Sequence, residues 1–176
     1  PFGFMTAAQK KKLLTTAVKA AQSAGTLMKR NLMVEKDVNE STQRDIKLEL
    51  DVRCQRRIEA LLVREHPEIA ILGEEESAGN VESELRWVVD PIDGTVNFAY
   101  GIPHACVSIA LQQRLTKFNR YGENYESIIG VVYDPFTNEL WTAIRGQAAK
   151  LNGSKIHVND GVLRESLLSI GFAKDR

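Results

Sequence analysis

Asp90-Pro91-Ile92-Asp93-Gly94-Thr95 is the segment of this 176-residue chain whose residue types and spacing suit chemistry. Two carboxylates flank a Pro-Ile pair. Proline restricts its own backbone and biases the residue before it towards an extended form, so such a turn can aim both carboxylates and a carbonyl between them at one point. Oxygen ligands of this kind suit a hard cation. Magnesium takes few carboxylates, keeps waters and leaves positions for the phosphate oxygens of a substrate. Gly94 lets a ligand approach the backbone closely. If Thr95 opens a short helix through Asn97 and Phe98, the amides there bind a phosphate. Metal ligands and anion-binding amides are then adjacent in sequence, and Glu74, at the end of another strand, supplies a further ligand.

These residues also have plainer readings. Asp-Pro and Asp-Gly are common turn dipeptides, and acidic runs such as Glu74-Glu75-Glu76 are usually solvated surface. Alone, the glutamate run reads as surface and the turn divides evenly between the two readings. Both lie at the ends of apolar strands, and together they favour a metal site. Asp51 by itself reads as a helix N-cap. His66, His104 and His157 lack metal-like spacing. His66, before a proline, and His157, near a hairpin, read as structural or exposed, and His104 has a minor claim to a substrate role. Cys54 and Cys106 form no CxxC or Cys/His pattern, which argues against zinc. Cys106, in an apolar run, reads as core, and Cys54 as a helix residue.

The elements that must position this turn follow from periodicity. From Thr6, a plausible N-cap, to about Asn31, apolar residues recur at threes and fours (Leu14, Ala17, Val18, Ala21, Ala24, Leu27, Met28), which predicts a helix. Glu35 to Arg44 has no period and reads as a mobile loop. A second helix is expected from near Asp51 to before Pro67, with Arg53, Arg56 and Arg57 on its wet side. Ile69 to Leu72 and Trp87 to Val89 read as buried strands stopped by Gly73 and by Asp90-Pro91. If they are neighbours in one sheet, their carboxylates meet at one edge. Ala105 to Leu111, Ser127 to Tyr133 and Glu139 to Ile144 are rich in Val, Ile, Tyr and Trp, as strands are. Leu115 to Glu126 reads as a surface loop, Tyr133 to Asn138 as a hairpin turn, and Leu151-Asn152-Gly153-Ser154-Lys155 as a hairpin with Asn-Gly at its tip. Leu167 to Phe172 is expected to be a last strand. Two helices followed mostly by strands predict an α+β fold, with helices on one face of a largely antiparallel sheet.

Composition bounds the function classes. With 43% hydrophobic and 26% charged residues the chain suits one globular domain. Lys+Arg and Asp+Glu are both 23, so no global field draws it to nucleic acid or an anionic membrane, and neither is expected as a partner. No stretch has the length of a membrane span, and no signal peptide opens the chain. Two lone cysteines fit a reducing cytoplasm. Asn39-Glu40-Ser41 and Asn152-Gly153-Ser154 match the glycosylation pattern but lack a secretory context. Pro1 to Phe4 reads as an expression-vector remnant, with Met5 as the natural start and the domain running from 5 to 176.

Trp87-Val88-Val89-Asp90-Pro91-Ile92-Asp93-Gly94-Thr95-Val96-Asn97-Phe98 closely resembles the signature of the inositol monophosphatase family. Gly73-Glu74-Glu75 resembles its upstream acidic motif, and Ile129 to Pro135 and Arg145-Gly146 to Asn152-Gly153 are also similar to that family. The resemblance runs from about Leu13 to Phe172. Fructose bisphosphatases and nucleotide 3′-phosphatases share the acidic core but usually differ just after it.

The resemblance implies the N-terminal part of a layered αβαβα sandwich of sugar-phosphatase type. It also implies hydrolysis of a small phosphomonoester, most closely inositol monophosphate, by water activated with two or three magnesium ions, manganese being an alternative. Carried over by position, Glu74, Asp90, the Ile92 carbonyl and Asp93 are metal ligands. Asp51 and Thr95, with metal-bound Glu74, serve the attacking water, and Asp93 with the Gly94 and Thr95 amides meets the substrate phosphate. Lithium sensitivity and a homodimer are implied as well. The family often has a lysine ahead of the Asp51 position, for which Lys36 and Lys47 are the candidates. Family chains also continue into a second half with a Trp-Asp metal ligand, whereas neither Trp87 nor Trp141 precedes an aspartate. The chain is therefore expected to be the N-terminal half of such a phosphatase. A metal- or phosphate-binding fragment without turnover, or a related sugar or nucleotide phosphatase, stands as the alternative.

Overall fold

The computed structural model describes residues 5–34, 38–41, 46–118 and 124–168. Helix α1 spans Ala7–Asn31. Thr6 caps it: its hydroxyl accepts from the Gln9 amide, and the Gln9 side chain accepts from the Thr6 amide. This reciprocal box satisfies two amides that a helix N-terminus otherwise leaves bare. Small residues form the buried stripe, with Ala17, Ala20, Ala21, Ala24 and Met28 wholly buried. Gly25 belongs to it for a steric reason, since a Cβ there would come within 2.6 Å of the Tyr133 ring. Helix α2 spans Glu49–Glu65 and buries Cys54, Ile58 and Leu62. It lies beside α1, with the Arg57 guanidinium donating to the Ser23 hydroxyl at 2.6 Å. Among the described residues no helix is long and apolar enough to cross a membrane.

The strands are β1 (Val38–Ser41), β2 (Ile46–Leu48), β3 (Ala70–Gly73), β4 (Ser77–Ala78), β5 (Leu85–Asp93), β6 (Cys106–Arg114), β7 (Tyr125–Asp134), β8 (Glu139–Ile144), β9 (Lys150–Leu151) and β10 (Ser154–Lys155). Strands β1 and β2 pair with each other. The others form one eight-stranded sheet in the order β10-β9-β8-β7-β6-β5-β3-β4. Every pairing in it is antiparallel except β3 with β5. Alternation sends Trp87, Val89, Val107, Ile109, Leu111, Ile129 and Val131 into the core. Helix α1 covers β6 and β7, and α2 covers β5. The fold is α+β, with the helices on one face of a mostly antiparallel sheet. On the opposite face Val88, Ala110, Gly130, Val132 and Trp141 are half-buried.

The structure corrects four expectations. Helix α2 begins at Glu49, so Asp51 lies in its first turn rather than at its N-cap. The aperiodic Glu35–Arg44 stretch contains β1, which pairs with β2. The strand expected to stop at Asp90-Pro91 runs on to Asp93, because its pairing with β6 breaks register between Asp90 and Asp93. Proline lacks the ladder donor and is tolerated at such a bulge. Leu167 and Leu168 are not in a strand, and Leu167 is 100% exposed. Residues 169–176, with the rest of that expected strand, lie outside the described residues, as do Pro1 to Phe4 and Lys36. The turn at Asn152-Gly153 is as expected, with φ of 48° and 85°.

Candidate functional site

The parallel pair puts the two acidic segments side by side. Gly73 is in register with Val89, and the Glu74 amide donates to the Val89 carbonyl at 3.0 Å. Glu74 therefore leaves β3 next to Asp90, one residue on in β5. The exposed Glu74 carboxyl shares a hydrogen bond with the half-buried Asp90 carboxyl. Burial pushes the Asp90 pKa up to about 8, with the Glu74 charge, that shared bond and the Asp93 charge adding to the rise and the Ile92 backbone opposing it. Asp90 Oδ1 is buried and meets no hydrogen-bond donor among the described residues.

Past the bulge, Gly94 adopts φ 94°, a left-handed conformation that L side chains rarely take. A Cβ there would also lie 2.9 Å from the His104 carbonyl. Glycine is thus required on two counts. Gly94 caps α3 (Thr95–Ala99), the short helix expected from the sequence. The Thr95 hydroxyl turns back to donate to the Ile92 carbonyl at 2.9 Å. The Asn97 side-chain Nδ2 donates to the His104 carbonyl at 2.9 Å and ties the far side of the loop. Asp93 and Gly94 open onto a pocket of about 460 Å³, also lined by His104, Cys106, Asp134 and Trp141.

Residues 9–175 match the model of the inositol monophosphatase family. The chain belongs to that family. It is 39% identical over 150 residues to an inositol monophosphatase of Mesembryanthemum crystallinum, covering 83% of this chain and 52% of that protein. It is 36% identical over 165 residues to the Nus factor SuhB of Haemophilus influenzae, covering 91% of this chain and 58% of that protein. Among solved structures, the extragenic suppressor protein suhB of Bartonella henselae superposes with a TM-score of 0.74 at 31% identity, over 85% of this chain and 55% of that one. The chain spans about half the length of the curated relatives it matches.

The family's acidic residues do not all meet. Glu74 and Asp90 form the inner pair, while Asp93 is exposed and faces the pocket, where its Oδ2 accepts from the Cys106 thiol at 3.8 Å. Asp51 is 2% exposed in α2, just after β2, which packs against α3. Lys47 lies in β2 opposite Glu40. Cys106, expected in the core, points to the other face of β6 and is half-buried. Burial and then the Asp93 carboxylate push its thiol up to about 12. His66 is structural, its Nε2 being 3.2 Å from the Thr16 hydroxyl, and His157 is exposed. Asp134 and Trp141 join the pocket, though as sequence neither was a candidate site residue. They sit on alternate positions of β7 and β8 facing away from the helices, and only the registered sheet brings them to Asp93.

Among the described residues no three His, Cys, Asp or Glu side chains converge as one metal-holding cluster. The donor set is narrower: two adjoining carboxyls, one with an undonated buried oxygen, and the Ile92 carbonyl in the turn between Asp90 and Asp93. Magnesium and manganese need only one or two protein carboxylates when waters fill the remaining positions. The residues present fit such an ion, whose charge would also offset the burial and the neighbouring carboxylates that raise the Asp90 pKa.

Proposed function

We propose that the protein is the metal- and phosphate-binding part of a magnesium-dependent phosphomonoesterase acting on a small phosphorylated polyol, inositol monophosphate first. The observation that carries this reading is the Glu74–Asp90 carboxyl pair with its undonated Asp90 oxygen, set beside the glycine turn. Glu74, Asp90 and the Ile92 carbonyl would hold the ion, with Asp93 joining from the pocket side. When bound there, magnesium supplies charge neutralisation at the phosphate and lowers the pKa of water in its shell. The chain's own residues do the placing. The Gly94 and Thr95 amides orient the phosphate. The Thr95 hydroxyl, already held on the Ile92 carbonyl, positions the attacking water, and Asp51 takes up its proton. Phosphoryl transfer is mostly a matter of such positioning and of charge stabilisation.

Magnesium-dependent phosphate release from inositol 1-phosphate by the full-length protein tests this. Asp90→Asn should lower the rate by on the order of a thousandfold or more, and an unchanged rate would sink the assignment. A binding module without turnover is the second reading. It is favoured by the lack, among the described residues, of a three-side-chain cluster. Calorimetry with magnesium or manganese on this 176-residue chain separates the two: heat of binding without phosphate release supports the module.

A further inference from the structure

We propose that Gln55 is a positioning residue for this site, its side-chain amide holding the turn that carries Glu74 so that the carboxyl faces Asp90; the inference rests on the metal-site reading above. Strands β3 and β4 form a hairpin with Leu72 opposite Ser77, and residues 74–76, past the end of β3, are its turn. Glu74 opens that turn, and a turn has freedom that a strand lacks. Gln55 removes it from beneath. It is 2% exposed on α2, one helical turn beyond Asp51. Its Nε2 donates to the Glu76 carbonyl at 2.7 Å, and its Oε1 accepts from the Glu75 amide at 3.0 Å. A second Nε2 bond, to Glu59 Oε1 at 2.8 Å, fixes which way the amide faces. A flipped amide would set its oxygen against two acceptors and its nitrogen against a donor.

The turn fits around this amide. A Cβ on Gly73 would overlap the Gln55 amide group and the Glu76 carbonyl, so glycine lets the turn close onto them. The Glu74 amide is bonded on its other side to Val89 of β5. The backbone about Glu74 is thus pinned, by one bond to the strand that carries Asp90 and two to the helix that carries Asp51. The clamp fixes where the Glu74 backbone sits relative to Asp90. Partners behind a ligand that fix its direction commonly change metal affinity by an order of magnitude or more.

The probe is manganese, followed by the loss of the free-ion electron paramagnetic resonance signal and by calorimetry, with no substrate present. Gln55→Met keeps the volume and removes all three bonds. It should weaken manganese binding on the order of tenfold. Glu59→Ala, which only frees the amide to rotate, should weaken it less and covers the case in which Gln55→Met does not fold. Ile58→Val, a control on the same helix, should lower the melting temperature with affinity unchanged. Gln55→Met and Glu59→Ala binding as tightly as the parent would overturn the positioning role while leaving the metal site standing. Loss of affinity in Ile58→Val in step with stability would overturn it too, by making the effect one of general stability. A parent chain that takes up no manganese would instead remove the metal-site reading, and this inference with it.

Discussion

Asp90 and Glu74 are a liability to the fold when no cation lies between them. Asp90→Asn keeps the shape and removes an acid whose pKa burial and the Glu74 charge raise, so the variant should melt higher than the parent in metal-free neutral buffer, by about 2–4 °C for each kcal/mol relieved. Calorimetric scans with chelator present check this, and a lower melting temperature would contradict it. The same substitution should abolish stabilisation by added magnesium, since a ligand stabilises only the state that binds it. These two residues were legible because proline, glycine and paired carboxylates have few structural uses in that order. Gln55 was not, since a lone glutamine on a helix carries no signal until the turn it meets is in place. Cys106 misled for a related reason. An apolar run on a strand has two faces, and only the sheet decides which is covered.

Elements can be tested through their junctions. His66 follows α2 and holds α1 through Thr16. The Thr16 hydroxyl already donates to the Lys12 carbonyl at 3.2 Å, so it accepts from His66 Nε2–H, which leaves Nδ1 bare towards Glu68 at 3.9 Å. Burial lowers the His66 pKa below its ordinary value of 6.5, and Glu68 only partly offsets it. A histidine whose folded value is lowered contributes stability above the unfolded value and loses it as pH falls through the folded one. Melting temperature should therefore decline as pH drops below about 6.5, and less so in His66→Gln. At the other end of α1, Thr6→Ala should cost about 1 kcal/mol through the lost cap, measured by denaturant unfolding. Long periodic elements and capped turns, such as α1 and the Asn152-Gly153 hairpin, were readable because local chemistry dictates them. Strand β1 was not, because its stability comes from pairing across a gap in sequence. The third helix-like element, α3, was readable only because Gly94 and Thr95 stand where a cap must be.

At the scale of the molecule, net neutrality conceals a division. Helix α1 carries Lys10, Lys11, Lys12, Lys19, Lys29 and Arg30 and no acid, so the rest of the neutral chain is acidic in balance. The helices screen one face of the sheet, while Val88, Val132 and Trp141 remain partly open on the other. Partly open apolar sheet faces promote association. This chain should self-associate with rising concentration and bind a hydrophobic dye, both measurable by light scattering and fluorescence. A monodisperse monomer without dye binding would count against it. The overall class, helices on one face of a mainly antiparallel sheet, followed from element order. The single parallel pair did not, because nothing local distinguishes it from a hairpin.

That parallel pair also sets a timetable. Strands β6, β7 and β8 pair antiparallel in chain order, whereas β3 and β5 run the same way with β4 between them in the chain. The nearest β6–β7 pair, Arg114 with Tyr125, closes a shorter loop than any β3–β5 pair, such as Ala70 with Arg86, and loop closure costs entropy before any contact repays it. During refolding the β6–β7 amides should gain protection from hydrogen exchange before the Glu74 amide, which is bonded to Val89 across the late pair. Pulse labelling with mass spectrometry reads that order, and simultaneous protection would refute it. A newly made chain would then be largely folded before it could hold a cation.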